Sequence, residues 1–177
     1  MNTHKGHCLC RSVEFEVQGE PSDVINCHCH FCQRATGSAY LVETLFDKGK
    51  LRITRGEPKV YDHVSEGSGK TIHIHFCGNC GTKLFMTFDR FPASVGVFSG
   101  TFETPDWFER TPDNTQHFFL SKAPKGVVLP VGYAVYDAHY WLRDGEAAKP
   151  VVFSEPTEVS DELRSESEAR ARKAAET

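Results

Sequence analysis

The sequence predicts a mainly β fold with few short helices, stapled at clustered cysteines, and three observations support the parts of this prediction. Apolar and polar residues alternate with a period of two along most apolar segments, as in strands with one buried face. Segments with helical periodicity are scarce before residue 160. Seven cysteines occur in tight clusters, a pattern typical of metal-stapled folds: Cys8-x-Cys10, Cys27-x-Cys29-x-x-Cys32 and Cys77-x-x-Cys80.

The alternating segments predict a series of short strands. The first places Val13, Phe15 and Val17 on one face and their polar neighbours on the other. Gly-rich breaks separate the later strands. In chain order, these strands carry Leu51 and Ile53, a short run from Val60, Ile72–Phe76, Leu84–Phe88, Val95 with Val97, and His117–Leu120.

Helix is predicted in two places. The segment Phe31–Thr36, which is followed by Gly37, favours one or two helical turns. Ser160 can cap a second helix, but from there to the end nearly every residue is charged, Ser or Ala. Leu163 is the only clearly apolar residue in this segment, so the helix has little apolar surface to bury. We therefore predict one domain over residues 1–153 and a charged C-terminal tail over residues 154–177, either a marginal solvent-exposed helix or disordered.

Composition and charge argue against several classes of protein. The net charge of -4 disfavours nucleic-acid binding, which usually needs a basic surface. The first ten residues lack the apolar segment of a signal peptide, and no apolar run has the length of a membrane span. We predict a cytoplasmic protein, where a reducing environment favours metal-bound cysteines over disulfides. The sequence does not indicate an oligomeric state.

The cysteine count predicts two different metal sites. Four thiolates close a tetrahedral zinc site, whereas three leave one position open for water or a ligand. Cys77-Gly78-Asn79-Cys80-Gly81 has the pattern of a zinc knuckle, in which glycines allow a tight turn. Spacing favours Cys8 and Cys10 as its partners, because one pair opens a strand and the other lies in a turn between two strands. The central three cysteines then form the open site.

Three alternatives to this partition stay open at the level of spacing. The three remaining thiols could be free, because cysteine packs as a small hydrophobic residue. His28 or His30 could complete a second structural site beside three thiolates. A redox pair at Cys77 and Cys80 would need a βαβ setting, whereas the flanking segments predict an antiparallel hairpin.

Three segments resemble the motifs of one known family. Gly6–Phe15 is similar to the opening G-x-C-x-C-G-x-V-x-F of the glutathione-dependent formaldehyde-activating enzyme/centromere protein V family. Cys27–Gly37 resembles its central C-H-C-x-x-C-[RQ]-[RK] motif, and Phe76–Thr82 resembles its F-C-x-x-C-G-T motif. Two positions depart from the pattern: Arg11 stands where Gly commonly follows the second Cys, and Lys125 stands where many members carry Trp.

The resemblance implies the family's β-tent fold, a twisted antiparallel β-sheet assembly held by zinc, with two zinc ions per chain. It implies that a structural zinc is bound by Cys8, Cys10, Cys77 and Cys80, and a catalytic zinc by Cys27, Cys29 and Cys32. It also implies an activity, the condensation of glutathione with formaldehyde. The reverse of this condensation breaks a carbon–sulfur bond, so the enzyme is classed as a carbon–sulfur lyase. The implied partners are therefore a small thiol and a small aldehyde, or their adduct.

Residues around the open site have two interpretations each. Arg34 could bind a substrate carboxylate through two hydrogen bonds, as glutathione requires, or lie on the surface of the short helix. His28 and His30 could orient ligands or move protons, or they could face solvent. Like Arg34, His28 is also a possible substrate-binding residue. For His117, packing or hydrogen bonding is favoured over catalysis.

The leading hypothesis is a zinc-dependent carbon–sulfur lyase that condenses glutathione or a similar thiol with a small aldehyde at the three-cysteine site. Three thiolates outweigh the charge of zinc, so the site suits thiol activation better than carbonyl polarisation. One alternative is an enzyme of the same fold with an unrelated small-molecule substrate. Another, from a different class, is a non-catalytic zinc-stapled binding module.

Overall fold

The structure is a computed structural model that describes residues 2–142 and 145–176. Strands make up more than a third of the described residues, well above the usual share for globular proteins, which confirms the predicted mainly β class. The described residues form two α-helices, α1 (His30–Thr36) and α2 (Asp161–Glu176). In chain order, their strands are β1 (Thr3–His7), β2 (Glu14–Gln18), β3 (Asp23–Cys27), β4 (Leu41–Asp47), β5 (Leu51–Arg55), β6 (Lys59–Val64), β7 (Thr71–Phe76), β8 (Lys83–Phe88), β9 (Ser94–Phe98), β10 (Thr115–Phe118), β11 (Val128–Leu129), β12 (Ala134–Val135), β13 (Val151–Val152) and β14 (Thr157–Glu158).

The chain divides into two compact units. The first unit consists of Met1–Asp23 and Val42–Glu109, and the second consists of Val24–Leu41 and Arg110–Thr177. The four-cysteine cluster belongs wholly to the first unit and the three-cysteine cluster wholly to the second. The predicted domain boundary between residues 153 and 154 is a different division of the chain and stays a prediction.

Antiparallel sheets build the first unit. One sheet has the strand order β1-β2-β5. In a second set, each strand is antiparallel to the next in the spatial order β4-β9-β8-β7-β6. The predicted strands around Phe15, Ile53, Ile74 and Val97 are all present. The core on their buried faces contains Phe15, Val17, Phe46, Leu84, Phe85, Val95 and Val97, and Val13 and Phe102 join it from outside the strands.

Strand β1 is absent from the sequence-based prediction because it has no apolar alternation. Its Gly6 lies opposite Phe15 of β2 in the antiparallel register. The Phe15 ring covers that glycine so closely that a Cβ there would lie 2.2 Å from the ring. Burial of a side chain of this size stabilises the fold by about 2–3 kcal/mol. The pairing of β1 therefore depends on a neighbouring strand rather than on its own residues.

A mixed sheet organises the second unit, which refines the predicted antiparallel arrangement. Strand β10 is parallel to β3 on one side and to β12 on the other, and β12 is antiparallel to β13. The predicted strand His117–Leu120 ends earlier, at Phe118, because Phe119 adopts a positive φ of 62° and a 3-10 turn (Leu120–Lys122) follows. Strands β11 and β14 form a separate antiparallel pair.

Helix α2 forms in the segment for which the sequence predicts either a marginal solvent-exposed helix or a disordered tail, and it packs within the second unit. The Oγ of Ser160 accepts a hydrogen bond from the Leu163 backbone N–H (3.1 Å), as the predicted cap requires. The Leu163 side chain packs against a small apolar cluster that includes Leu120 and Val159. On the same helix, the buried Ser167 donates a hydrogen bond to Asp137 (2.6 Å). Polar contacts therefore hold α2 in place to a large extent, because the helix has few apolar residues to bury.

No helix in the described ranges has both the length and the apolar character that crossing a membrane requires.

Candidate metal centres

The four-cysteine cluster joins two distant turns of the first unit. The Sγ atom of Cys10 lies 3.6 Å from that of Cys8 and 3.7 Å from that of Cys77. Together with Cys80, all four sulfurs lie within 4.8 Å of one another. This is the partition that spacing favours and that the family resemblance implies for the structural metal.

Backbone turns hold these sulfurs in place. At the first turn, the N–H of Cys8 donates to the Val13 carbonyl (3.0 Å), and the N–H of Arg11 donates to the Cys8 carbonyl (3.0 Å). At the second turn, the N–H of Cys77 donates to the Thr82 carbonyl (2.9 Å). Arg11 has a φ of 57°, in the left-handed region that glycine adopts freely. The glycine of the family motif at this position therefore has a conformational reason.

The thiols of this cluster differ in their surroundings. Burial raises the pKa of Cys8 to about 11, and hydrogen bonds with Ser12 and Asn79 lower the pKa of the exposed Cys10 to about 5. A hydrogen bond with Thr82 lowers the pKa of Cys80 to about 7. Four thiolates this close repel one another, so the full ligand set needs a bound cation to stabilise it.

The three-cysteine cluster forms where β3 leads into α1. Cys29 is the residue that caps the helix, and its Sγ accepts a hydrogen bond from the Cys32 backbone N–H (3.3 Å). Its Sγ lies 3.5 Å from that of Cys27, and all three sulfurs lie within 4.8 Å of one another. The helix ends at Gly37, whose φ of 71° confirms the predicted glycine cap.

One thiol of the three is much more acidic than the others. Hydrogen bonds from Cys27 and Cys32 lower the pKa of Cys29 to about 3. The same hydrogen bonds raise the pKa of Cys27 and Cys32 well above the ordinary value, and burial adds to this effect. The cluster therefore accepts a first negative charge readily and resists a second and third unless a cation is present.

Both clusters fit a zinc ion. Tetrahedral coordination with zinc–sulfur bonds of about 2.3 Å places sulfurs about 3.8 Å apart. The measured sulfur separations of 3.5, 3.6 and 3.7 Å are close to this value. Among the described residues, no histidine nitrogen or carboxylate oxygen joins the three sulfurs of Cys27, Cys29 and Cys32 as a fourth ligand. The alternative in which His28 or His30 completes this site therefore has no support from the geometry.

His28 is fully buried, so the solvent-facing interpretation of this residue is wrong. Its ring lies 4.8 Å from the Tyr40 ring and 5.5 Å from the His117 ring, measured between centroids. Its Nε2 contacts Nδ1 of His117 at 3.2 Å, and Nε2 of His117 contacts Nδ2 of Asn26 at 3.2 Å. Burial lowers the pKa of both histidines to about 4. This hydrogen-bonded row confirms a hydrogen-bonding role for His117.

Other residues around α1 have structural or surface positions. Gln33 donates from Nε2 to the His28 carbonyl (2.6 Å) and to the Lys122 carbonyl (2.9 Å), which ties the cysteine loop to the 3-10 turn. Arg34 and His30 are exposed on the helix. Beside His30 lies a polar cleft of about 280 Å³ whose walls also include Ser121, Lys122, Asp161, Arg164, Ser165 and Glu168.

Comparison with known proteins identifies the family. A family model described as glutathione-dependent formaldehyde-activating enzyme matches residues 3–122. The chain belongs to this family. A Halomonas elongata protein named "Putative glutathione-dependent formaldehyde-activating enzyme" is 26% identical over 128 residues, covering 71% of this chain and 80% of that protein. A crystal structure of a Rhodobacter sphaeroides protein is similar with a TM-score of 0.46 and 26% identity, covering 56% of this chain and 88% of that chain.

Two residues of this family member's site escaped the sequence analysis. Asn26 precedes Cys27 directly and is buried, and Tyr40 lies against the His28 ring. A polar residue near the end of a strand that leads to a cysteine cluster is a signal that could have identified Asn26. Tyr40 carries no such signal, because its contact with His28 forms only when the chain after α1 turns back.

Proposed function

We propose that this chain joins a small thiol to a small aldehyde at the Cys27, Cys29 and Cys32 centre, and also catalyses the reverse reaction. The observation that supports this proposal best is the set of three clustered sulfurs with no fourth protein ligand among the described residues. Membership of the formaldehyde-activating family supports the same class of chemistry. The preferred thiol is glutathione, and the proposed location is the cytoplasm, where thiols stay reduced.

The proposed reaction is an addition without a change in oxidation state. The thiol loses its proton, its sulfur forms a bond to the carbonyl carbon, and the carbon–oxygen π electrons move to the oxygen. The proton ends on that oxygen, so the product is a hydroxyalkyl thioether. A zinc ion held by three thiolates would supply one further position at which the incoming thiol is bound as a thiolate.

The protein residues of the centre are arranged to keep this position fixed. Cys29 is held by the Cys32 backbone N–H, and the loop that carries it is tied down by the two hydrogen bonds of Gln33. Such anchoring holds the sulfurs in one geometry before the thiol arrives, which reduces the entropy lost on reaction. We further propose that the exposed Arg34 binds a carboxylate of glutathione, because its guanidinium can donate two parallel hydrogen bonds.

An NMR exchange experiment tests the proposed reaction. The rate of exchange between free formaldehyde and its glutathione adduct is measured with and without the protein, using Cys29→Ser as the matched inactive variant. We expect acceleration by the native chain and none by the variant, which should bind one metal ion fewer. Equal rates with both proteins would reject the lyase proposal and favour an unrelated substrate or a binding role.

A second experiment separates glutathione from thiols in general. The acceleration is compared for glutathione and for 2-mercaptoethanol, which has no carboxylate. If Arg34 binds a carboxylate, Arg34→Gln should raise the KM for glutathione and leave the KM for 2-mercaptoethanol unchanged. An equal effect on both thiols would remove Arg34 from the substrate site.

A further inference from the structure

Three buried polar side chains form a row beside the three-cysteine cluster. Asn26 lies opposite His117 in the parallel pairing of β3 with β10, and His28 follows Cys27 directly. These three residues are 7%, 6% and 0% exposed, for Asn26, His117 and His28 respectively. Each neighbouring pair in the row is separated by 3.2 Å, which is within hydrogen-bond distance.

The hydrogen-bond chemistry of this row determines where the protons lie. An amide nitrogen is only a donor, so Nδ2 of Asn26 donates and Nε2 of His117 accepts. A histidine that accepts at Nε2 is neutral and carries its proton on Nδ1, from which it donates to Nε2 of His28. By the same reasoning His28 accepts at Nε2 and carries its own proton on Nδ1.

The last donor in the row has no hydrogen-bond partner among the described residues. Nδ1 of His28 is buried, and no oxygen, nitrogen or sulfur acceptor in those residues lies within reach. A buried N–H without an acceptor is unfavourable, and one that a native structure retains calls for an explanation, such as a bound water or ion or a catalytic role. The ring cannot easily turn away, because it is held between Tyr40 and His117.

We propose that Asn26 and His117 are positioning residues that hold His28 with its proton on Nδ1, and that this N–H donates to the carbonyl oxygen of the substrate. The inference rests on the proposed function for the identity of that substrate. As sulfur attacks carbon, negative charge develops on the oxygen, and a preset donor stabilises it more than it stabilises the neutral aldehyde. His28 keeps its proton, and the proton released by the thiol neutralises the oxygen.

This arrangement complements the metal site. A zinc ion bound by three thiolates is a weak Lewis acid toward a carbonyl, because the ligands already exceed its charge. His28 lies between two of the cysteines in the chain, and a hydrogen-bond donor there would stabilise the oxygen without relying on the metal. His28 does not belong to the group of candidate metal ligands. Its Nε2 is therefore available to His117 and its Nδ1 to a substrate.

Nitrogen-15 NMR of the metal-loaded native protein tests the proton positions independently of any activity. The signals of His28 are assigned by their loss in His28→Gln. We expect a protonated Nδ1 and an unprotonated Nε2 for both His28 and His117. The opposite pattern at either ring would overturn the inference. As a probe for an oxygen ligand, formate should move the Hδ1 signal of His28, and an unmoved signal at saturating formate would reject oxygen binding there.

Two substitutions of His117, by side chains of equal length, distinguish a positioning role from a purely structural role. In His117→Gln, the side-chain amide can still accept from Asn26 and donate to His28, whereas the thioether in His117→Met cannot donate. We expect Gln to keep kcat within about threefold and Met to lower it by about 100-fold, with the KM for the thiol unchanged in both. Only His117→Met should move the His28 proton to Nε2.

The outcomes distinguish this inference from the proposed function. If the native protein does not accelerate thiol addition, the proposed function fails, while the NMR pattern and the formate shift still decide whether the His28 donor exists. If both variants keep two metal ions and the native activity while the His28 proton moves in His117→Met, the inference fails and the lyase stands.

Discussion

Substitution of one buried cysteine in each cluster should affect stability unequally. Cys77 and Cys32 are 1% and 4% exposed, so replacement of either by serine places a similar hydroxyl in a similar environment. The two clusters differ in the length of chain that a bound metal closes. Cys10 and Cys77 are separated by 67 positions, whereas Cys27, Cys29 and Cys32 lie within one short loop.

The expected magnitude follows from the entropy of loop closure. A cross-link that closes a loop of this length stabilises by about 4 kcal/mol, whereas one that closes about five residues stabilises by about 2 kcal/mol. The Cys77→Ser variant should therefore unfold more easily than the Cys32→Ser variant by about 2 kcal/mol. For a chain of this size, that difference corresponds to roughly 4–8 °C in Tm.

Metal analysis and thermal unfolding of the two purified variants provide the assay. Each variant should contain about one metal ion per chain and the native protein about two, so the comparison is between equal losses of metal. Equal melting temperatures, or a lower one for Cys32→Ser, would refute the assignment of the four-cysteine cluster as the structural site. A variant that keeps both metal ions would refute the ligand assignment for its own cluster.

Three further predictions concern other parts of the chain. Arg11→Gly should raise the free energy of unfolding by about 1 kcal/mol, because glycine relieves the left-handed backbone strain; Arg11→Ala should give no such gain in the same thermal unfolding measurement. Asp62 and then Asp89 raise the pKa of His73 above its ordinary 6.5, and His73 lowers that of Asp89 below 3.8. The contacts of His73 with these two carboxylates should therefore stabilise the fold fully between about pH 4 and 6.5, and their contribution should be lost as pH rises through the raised pKa of His73. The difference in Tm between the native protein and His73→Gln should accordingly shrink between pH 6 and pH 8.5, and a constant difference would contradict it. Asp137→Ala should release α2 at a cost of about 2–3 kcal/mol, seen as faster hydrogen exchange over 161–176, whereas Asp137→Asn should keep part of the protection.

Local patterns explain why much of the strand order could be predicted. Strand β2 buries Phe15 and Val17 as their alternation indicates, and β7 and β8 follow the same rule. Strand β1 could not be predicted, since its pairing depends on the Phe15 ring that covers Gly6. The docking of α2 could not be predicted for a related reason, because Ser167 and Arg170 contact Asp137, a residue in a distant segment.

The sequence by itself determined the mainly β class, the family and the composition of both cysteine clusters. Strand alternation and ligand spacing are local properties, so they can be read directly from the order of residues along the chain. The tertiary structure decided what surrounds the three sulfurs. Asn26 and His117 are 91 positions apart, and only the parallel pairing of β3 with β10 brings them into one hydrogen-bonded row that ends at His28. Such contacts arise because a folded sheet joins segments whose side chains show no mutual pattern along the chain.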